Sequence, residues 1–327
     1  MESMKGKVIR DIRNQEAKRK QLQKEVFNQR YNATKEAKFI DKEDINMEQF
    51  INKIILGDCV ELMKEIPDDF IDLTVTSPPY DNLRYYTNEV TWNFEKFKEV
   101  AKELFRITKP GGVVVWVVGD ATINGSETGT SFRQALYFKE IGFNLHDTMI
   151  YIKNGGLNSG SLNTYQQKFE YMFVLSKGKP KAINLIKDRP NKYVEDRIKR
   201  KKMKDGTYKE QHFKTKPFGT RYNYWIYDTG SGKSTKDKIA FKHPAIFPEK
   251  LAQDHILSWS NPGDIVLDPM CGSGTTCKMA VLNDRKYIGF EISKEYFDIA
   301  CQRLNDVEYP KFNRCCSGNI NWVSRED

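Results

Sequence analysis

Short apolar segments alternate with helical patterns along most of this chain of 327 residues. Seven segments have the length and composition of strands: 53–56, 71–76, 113–119, 148–153, 171–176, 265–268 and 286–292. Helical patterns over 94–107 and 132–141 separate the early strands, as the crossovers of a parallel sheet require. The fourth and fifth strands lack a clear helix between them and should form an antiparallel pair. The pattern therefore predicts an α/β fold with a mostly parallel sheet.

The second strand runs directly into the sequence Ser77-Pro78-Pro79-Tyr80. Proline fixes its own φ and restricts the preceding residue to extended conformations, so Ser77 and the Pro78 carbonyl should be held in set directions. These two groups could accept hydrogen bonds from a planar amine, while the Tyr80 ring stacks on the base that carries the amine. An ordinary proline-rich turn after a core strand is the alternative interpretation.

A strand, a glycine turn and a helical pattern follow one another over residues 265–282. Gly272 and Gly274 would let a ligand approach the backbone closely, and the N–H groups at the start of the helix favour an anionic group. The spacing is not that of the G-x-G-x-x-G dinucleotide motif. The next strand ends at Glu291, where a doubly wound sheet usually binds the hydroxyl groups of a ribose. A purely structural turn is the alternative here.

Together the two motifs resemble those of the DNA amino-methyltransferases, which transfer a methyl group from S-adenosylmethionine to cytosine N4 or adenine N6. In that family the catalytic motif has Asp, Asn or Ser, then two prolines, then an aromatic residue, and Ser77 to Tyr80 match it. The motif order, with a long basic insert between the two motifs, resembles the beta class. Met270 departs from the family, whose members usually carry Phe after Asp-Pro. The resemblance covers roughly residues 54–304.

This resemblance implies a mostly parallel, seven-stranded Rossmann-like sheet, S-adenosyl-L-methionine as cofactor and double-stranded DNA as substrate. It assigns catalysis to Ser77, Pro78, Pro79 and Tyr80. The residues that it assigns to the cofactor are Asp58, Phe247, Asp268, Pro269, Met270, Gly272, Ser273, Gly274, Thr275, Glu291 and Ile292. Asp58 resembles the acid that binds the adenine, although it is equally suited to cap the following helix. Phe247 resembles an element that lines the methionine pocket, although an aromatic residue before a helix is more often part of a core.

The positive charge of the chain is concentrated in residues 177–238. This segment has 19 Lys and Arg residues against 7 Asp and Glu, a net charge of +12, whereas the whole chain carries +9. Basic side chains neutralise phosphates, and interleaved Tyr, Asn and Arg can reach base edges. The segment is therefore predicted to be a target-recognition insert, with a solvated lysine-rich loop as the alternative. The DNA-binding candidates are Arg197, Lys199, Arg200, Lys201, Lys202, Arg221, Tyr222 and Asn223.

Four segments are predicted: a helical extension (1–48), the first part of the catalytic domain (49–176), the insert (177–238) and the second catalytic part (239–327). A DNA clamp, a solvated helix and a dimer arm all fit the extension. No apolar run approaches the roughly 20 residues that span a membrane. The six cysteines show no metal-ligand spacing, which favours reduced thiols in a cytoplasm and predicts no metal site.

The sequence therefore predicts a site-specific methyltransferase that flips its target base out of the duplex. Cytosine N4 is favoured over adenine N6, because relatives with Thr before Ser-Pro-Pro-Tyr act more often on cytosine. Two other classes are considered: a protein glutamine methyltransferase, whose two motifs come in the opposite order, and an inactive DNA-binding module. The recognition sequence, a homodimer and an accompanying restriction endonuclease are left open.

Overall fold

The computed structural model describes residues 47–80, 92–155, 165–194, 196–230 and 232–307. The predicted extension, residues 1–48, lies outside this part of the chain except for its last two residues. No helix in the described residues is long and apolar enough to cross a membrane.

The described chain forms fourteen strands and six α-helices. The strands are β1 (Lys53–Leu56), β2 (Ile71–Thr76), β3 (Thr108–Val118), β4 (Thr122–Ile123), β5 (Ser126–Glu127), β6 (Asn144–Asn154), β7 (Phe169–Ser176), β8 (Arg189–Pro190), β9 (Asp196–Lys202), β10 (Tyr208–Lys214), β11 (Phe218–Gly219), β12 (Tyr224–Asp228), β13 (Ile265–Asp268) and β14 (Lys286–Glu291). The helices are α1 (Cys59–Lys64), α2 (Phe94–Ile107), α3 (Thr130–Glu140), α4 (Glu249–Trp259), α5 (Thr275–Leu282) and α6 (Lys294–Asn305). Two 3₁₀ helices, Met47–Gln49 and Lys238–Lys242, complete these elements.

The main sheet has the strand order β1-β14-β13-β2-β3-β7-β6-β12. Strand β7 runs antiparallel to both of its neighbours, and every other pairing in the sheet is parallel. The α/β class, the mostly parallel sheet and the antiparallel pairing of β6 with β7 were all predicted from the sequence and are confirmed.

The predicted strand number was wrong, because the sheet has eight strands rather than seven. The additional strand, β12, lies within the segment predicted to be a target-recognition insert and pairs in parallel with β6. Trp225 and Tyr227 of this strand are buried, while Tyr224 and Ile226 are exposed. This alternation is the signature of a half-buried strand, but the adjacent Arg221, Tyr222 and Asn223 made the segment look like a base-reading loop.

Helices cover both faces of the sheet, as in other doubly wound folds. Buried side chains of α1, α2 and α3 pack with Val114, Trp116 and other residues on one face of the strands. Side chains of α4, α5 and α6 pack with Leu73, Val75 and other residues on the opposite face. Since β2, β13 and β14 are enclosed between these two layers, their carboxyl ends are the places where polar loops reach the surface.

Candidate active site

The two sequence motifs lie side by side at the carboxyl edge of the sheet. Strands β2 and β13 are parallel neighbours, with Leu73 opposite Val266 and Thr74 opposite Leu267. The Thr76 hydroxyl donates a buried hydrogen bond of 2.7 Å to Asp268 Oδ1, which ties the two strand ends together. The proline motif and the glycine turn, 192 residues apart at this hydrogen bond, therefore open onto the same side of the sheet, as predicted.

A cavity of about 970 Å³ lies above this edge. All four predicted catalytic residues line it. So do nine of the predicted cofactor residues: Asp58, Phe247, Pro269, Met270, Gly272, Ser273, Thr275, Glu291 and Ile292. A cavity of this size, with its polar groups near two strand ends, has the volume and position of a ligand site in an open α/β sheet.

Two predicted cofactor residues, Asp268 and Gly274, lie beneath the cavity instead of lining it. The Asp268 carboxylate is buried and accepts hydrogen bonds from Thr76 and from the Met270 N–H. Gly274 has a φ of +75°, and a Cβ at this position would come within 2.9 Å of Ala300 Cβ. Gly274 is thus needed for the close packing of α5 on α6, so both residues shape the turn that carries the cavity wall.

The catalytic motif is tied to the neighbouring strands through the Tyr80 hydroxyl. This hydroxyl lies 2.8 Å from Ser77 Oγ, 3.0 Å from Glu170 Oε2 and 3.4 Å from the Val117 carbonyl oxygen. The ring is partly buried against the core and also lines the cavity. Tyr80 is therefore held at its hydroxyl end while part of its ring faces the cavity.

Glu291 anchors the glycine turn at the end of β14. Its Oε2 accepts a hydrogen bond of 2.8 Å from the Gly272 N–H, and its Oε1 accepts one of 2.9 Å from the Ser293 N–H. Burial raises the pKa of this carboxyl group, although the backbone N–H groups oppose the change. Each carboxylate oxygen has a second lone pair, so Glu291 can still accept hydrogen bonds from a diol in the cavity.

Asp58 both caps a helix and lines the cavity. Its Oδ1 caps α1 by accepting a hydrogen bond of 2.8 Å from the Val60 N–H, and its side chain also faces the cavity. Lys96 forms an ion pair with it at 2.9 Å. Burial acts to raise the pKa of Asp58, but the hydrogen bonds and the charge of Lys96 outweigh it and lower the pKa. Asp58 therefore presents a charged carboxylate to the cavity.

Arg303 holds the glycine turn from below. Its side chain is fully buried, and it donates hydrogen bonds to the Ser273 carbonyl and hydroxyl oxygens and to the Thr275 hydroxyl. The same guanidinium pairs with Asp237 and Glu249. A planar guanidinium can satisfy several acceptors at fixed angles, so this network gives the turn a single conformation.

The burial of Asp268 leads to a testable pH dependence of stability. Burial raises the pKa of its carboxyl group to about 6, despite the hydrogen bond from Thr76. The pKa in the folded protein exceeds the unfolded value of about 4. The contribution of Asp268 to the free energy of unfolding is therefore fully present below pH 4 and is lost as the pH rises through 6. We expect Asp268→Asn to increase the free energy of unfolding by about 2 kcal/mol at pH 7.5 and to change it much less at pH 4.

Urea denaturation of both proteins at pH 4, 5.5 and 7.5 measures this difference. Glu140→Gln, which converts an exposed acid to its amide, serves as the control and should change stability by less than about 0.5 kcal/mol at each pH. An Asp268→Asn protein that is equally destabilised at all three pH values would contradict the expectation.

Sequence reasoning missed several residues of the cavity wall. These are Trp92, Lys96, Tyr151, Lys153, Glu170, His243 and Tyr296. Glu170 is an acid at the start of an otherwise apolar strand, and this contrast was a signal that could have identified it. The position of Lys153 beside Glu170 depends on the register of β6 against β7, which no local pattern specifies.

The predicted DNA-binding residues fall into two groups, and none of those whose side chains the structure describes lines the cavity. Arg200, Lys201 and Lys202 lie on β9, which pairs with β10 in a separate two-stranded hairpin, and their side chains are exposed. The side chains of Arg197 and Lys199, on the same strand, lie outside the described part of the structure.

The second group precedes β12. Arg221 pairs with Asp188 and with the buried Asp254, so its guanidinium supports the fold. The rings of Tyr222 and Tyr224 are exposed and stacked, with centroids 5.5 Å apart. Asn223 donates its amide to the Thr148 carbonyl oxygen. In this group Tyr222 keeps an exposed ring, whereas Arg221 and Asn223 are engaged within the protein.

No cluster of three or more His, Cys, Asp or Glu side chains arranged to hold a metal ion is found among the described residues. The charged groups from the described residues that line the cavity are the acids Asp58, Glu170 and Glu291 and the bases Lys96, Lys153 and Lys168. The first two bases pair with Asp58 and Glu170 respectively.

Comparison with known proteins identifies relatives of this fold and site. A family model described as DNA methylase, of the N6/N4 type, matches residues 71–302. The sequence is 64% identical over 250 residues to the orphan methyltransferase M.BamHII of Bacillus amyloliquefaciens, which covers 75% of this chain and 92% of that protein. It is 31% identical over 270 residues to the type II methyltransferase M.BglII of Bacillus subtilis, covering 79% of this chain and 70% of that protein.

Two solved structures share the fold. The M1.HpyAVI–SAM complex has a TM-score of 0.53 and 25% sequence identity, and the match covers 77% of this chain and 98% of that one. The cytosine-N4-specific PvuII DNA methyltransferase has a TM-score of 0.54 and 21% identity, covering 78% of this chain and 88% of that one.

Proposed function

Because this chain belongs to the N6/N4 DNA methylase family, we propose that it methylates cytosine N4 within a specific sequence of double-stranded DNA. Family membership makes it an S-adenosylmethionine-dependent methyltransferase of an exocyclic amine in DNA. The observation that carries the proposal is the sequence Ser77-Pro78-Pro79-Tyr80, which opens onto the same cavity as the glycine turn. The choice of cytosine rests on the motif itself, since relatives with Thr-Ser-Pro-Pro-Tyr act more often on cytosine N4.

The chemistry of the cavity residues supports binding of S-adenosylmethionine. Glu291 and Asp58 both line the cavity, and in our proposal Glu291 accepts hydrogen bonds from the ribose hydroxyls and Asp58 accepts one from the adenine amine. The turn at Gly272 and Ser273, together with Phe247, would enclose the methionine part of the cofactor. When bound, this cofactor supplies an electrophilic methyl group on a sulfonium ion.

The protein residues prepare the target amine for attack. A base inside a duplex cannot present its amine to the cavity, so it must flip out at a cost of about a few kcal/mol. Its amine nitrogen is a poor nucleophile, because the lone pair is conjugated with the ring. In our proposal Tyr80 stacks on the flipped base, while Ser77 and the Pro78 carbonyl oxygen accept hydrogen bonds from the amine. Acceptors outside the base plane would draw the nitrogen toward a tetrahedral geometry and free its lone pair.

Mass spectrometry of nucleosides tests the choice of base. Unmethylated bacterial DNA is incubated with the purified protein and S-adenosylmethionine and then digested to nucleosides. We expect N4-methylcytosine, and its amount should depend on the cofactor. N6-methyladenine without N4-methylcytosine would overturn the choice of base but leave the amino-methyltransferase activity intact. Neither product on genomic DNA of diverse composition would overturn the proposed function itself.

We also propose that the β9–β10 hairpin contacts the DNA phosphates. The exposed Lys201 and Lys202 lie next to each other on β9, where few acidic side chains are present to neutralise them. Each lysine that neutralises one phosphate adds about 0.9 to the slope of log affinity against log salt concentration.

The double substitution Lys201→Ala and Lys202→Ala should therefore reduce this slope by about 2 and weaken DNA binding uniformly across sequences. Fluorescence anisotropy with labelled duplexes at 50 to 300 mM salt measures both effects. The matched control replaces two exposed lysines on α2 and α3, Lys102 and Lys139, which should leave the slope unchanged. Equal slopes for the two double variants would contradict the role of the hairpin.

A further inference from the structure

A chain of hydrogen bonds leads from the catalytic motif to a carboxylate that the sequence motifs do not include. Ser77 Oγ lies 2.8 Å from the Tyr80 hydroxyl, and that hydroxyl lies 3.0 Å from Glu170 Oε2. Glu170 is 8% exposed, lines the cavity and forms an ion pair with Lys153 through its other oxygen. The three oxygens thus connect the amine-facing end of the motif to a paired carboxylate.

The carboxylate determines the direction of every hydrogen bond in this chain. An ionised carboxylate only accepts hydrogen bonds, so the Tyr80 hydroxyl must donate its single proton to Glu170. The Val117 carbonyl oxygen, 3.4 Å from the same hydroxyl, is also only an acceptor, so neither of these two partners can donate a hydrogen bond to Tyr80. The Tyr80 oxygen can then only accept a hydrogen bond from Ser77, so the Ser77 hydroxyl donates its proton to Tyr80. The lone pairs of Ser77 Oγ are left to accept from a group in the cavity.

Lys153 lies beside the Glu170 carboxylate. It is on β6, beside the β7 strand that carries Glu170, and the two side chains form a direct ion pair. Tyr151 also lines the cavity, and burial raises the pKa of its hydroxyl, with a smaller contribution from the charge of Glu170. The site therefore combines the Glu170 carboxylate with the hydroxyl groups of Tyr80 and Ser77, each of which can pass on one proton.

We propose that Glu170 is a positioning residue that fixes Ser77 as an acceptor for the target amine and takes up, through Tyr80 and Ser77, the proton that the methylated amine loses. This inference rests on the proposed function. Once the amine nitrogen has used its lone pair to form the new N–C bond, it carries a positive charge and two protons. One N–H bond then breaks and its electron pair stays on nitrogen. The proton moves to Ser77 Oγ, the Ser77 proton moves to the Tyr80 oxygen, and the Tyr80 proton moves to Glu170 Oε2.

Each hydroxyl in this transfer loses one proton and gains one, so the net change is a neutral methylated amine and a protonated Glu170. A carboxylate is a strong enough base for this step, because a protonated amine conjugated with an aromatic ring is a much stronger acid than a carboxylic acid. Glu170 lines the cavity, so its proton can pass to water when the product leaves.

The variant Glu170→Gln separates this role from a structural one. The glutamine carbonyl can still accept the Tyr80 hydrogen bond, but it cannot take up a proton, and its amide group can turn to donate. We expect the single-turnover rate of methyl transfer to fall by about 30-fold or more, with dissociation constants for S-adenosylmethionine and DNA within about twofold of wild type. Tyr80→Phe, which keeps the ring and removes the hydroxyl, should give a similar fall.

A binding experiment without cofactor tests the direction of the hydrogen bonds. Two duplexes are compared that carry, opposite an abasic site, either the target base or its analogue with a carbonyl in place of the amine: uracil for cytosine, hypoxanthine for adenine. Wild type should prefer the amine by about tenfold, because Ser77 presents lone pairs, and Glu170→Gln should lose most of this preference.

The control is Glu103→Gln, which removes a half-buried glutamate from an ion pair with Arg106 outside the cavity and should match wild type in both measurements. A Glu170→Gln protein with the wild-type single-turnover rate would overturn the proposal, as would a loss that appears entirely in DNA affinity. An unchanged preference for the amine would overturn the assigned direction. A wild-type protein that methylates no DNA would instead refute the proposed function.

Discussion

Tyr80→Ala is expected to lower the single-turnover rate of DNA methylation by about 100-fold or more, while the affinity for S-adenosylmethionine stays close to that of wild type. Loss of the ring removes the surface on which the flipped base is proposed to stack, a contact worth about 1–3 kcal/mol per base. Loss of the hydroxyl also removes the connection between Ser77 and Glu170. The cofactor residues lie on other loops, at the ends of β1, β13 and β14 and ahead of α4, so their arrangement should survive.

Rapid-quench measurement of methyl transfer, combined with calorimetric titration of the cofactor, tests this expectation. Tyr137→Ala is the matched control, because it removes another partly buried tyrosine from an aromatic cluster on α3, outside the cavity. The control should lose stability but keep its rate per folded molecule. A Tyr80→Ala enzyme with near-normal turnover would exclude the stacking role.

Gly272→Val is expected to weaken binding of S-adenosylmethionine by about 100-fold. Gly272 has a φ of +51°, in the left-handed region, where a β-branched residue is strongly disfavoured. A Cβ there would also lie 2.8 Å from His243 Nε2. The His243 ring cannot move away freely, because it is buried, packs on Tyr296 with centroids 4.3 Å apart and accepts a hydrogen bond from the Ala245 N–H. The glycine turn must therefore shift within the cavity wall.

Gly263→Val provides the control for backbone strain alone. Gly263 has a φ of +86°, but no atom lies within 4 Å of its Cβ position, and it does not line the cavity. We expect the control to lose stability and to bind the cofactor normally. Calorimetric titration measures the cofactor affinity of both variants, and thermal melting compares the loss of stability that each substitution causes. Equal cofactor affinities for the two variants would show that the close approach at Gly272 has no role in binding.

The elements that carry the motifs could be predicted from local pattern alone. Strands β2 and β13 and helix α2 have the predicted bounds, because each combines a clear hydrophobic period with an unambiguous start or stop signal. The proximity of the two motifs also followed from sequence, since parallel strands in an open sheet bring their carboxyl ends to one edge. The family match agrees with the resemblance of these motifs and leaves no reason to retain a protein glutamine methyltransferase as an alternative.

Tertiary contacts account for what the sequence did not predict. Nothing near Glu170 in the sequence indicates that its carboxylate meets the Tyr80 hydroxyl, a contact between residues 90 positions apart. Asp268 matches the family motif, yet its hydrogen bonds to Thr76 and to the Met270 N–H place it under the turn. Arg221 looked like a DNA contact because of its basic neighbours, but the buried carboxylate of Asp254 engages it. In each case the partner comes from a distant strand or helix.

Strand β12 limits how the specificity of such an enzyme can change. The strand begins only ten residues after β10 ends, and Thr229 and Gly230, which follow it, form part of the cavity wall. An exchange of residues 177–238 with a homologue would therefore replace an edge of the sheet together with the rest of the predicted target-recognition insert. Chimeric proteins in which the exchanged segment ends ahead of Arg221 should fold far better than those in which it ends at residue 238. A junction that spares β12 leaves both the edge of the sheet and this part of the cavity wall unchanged.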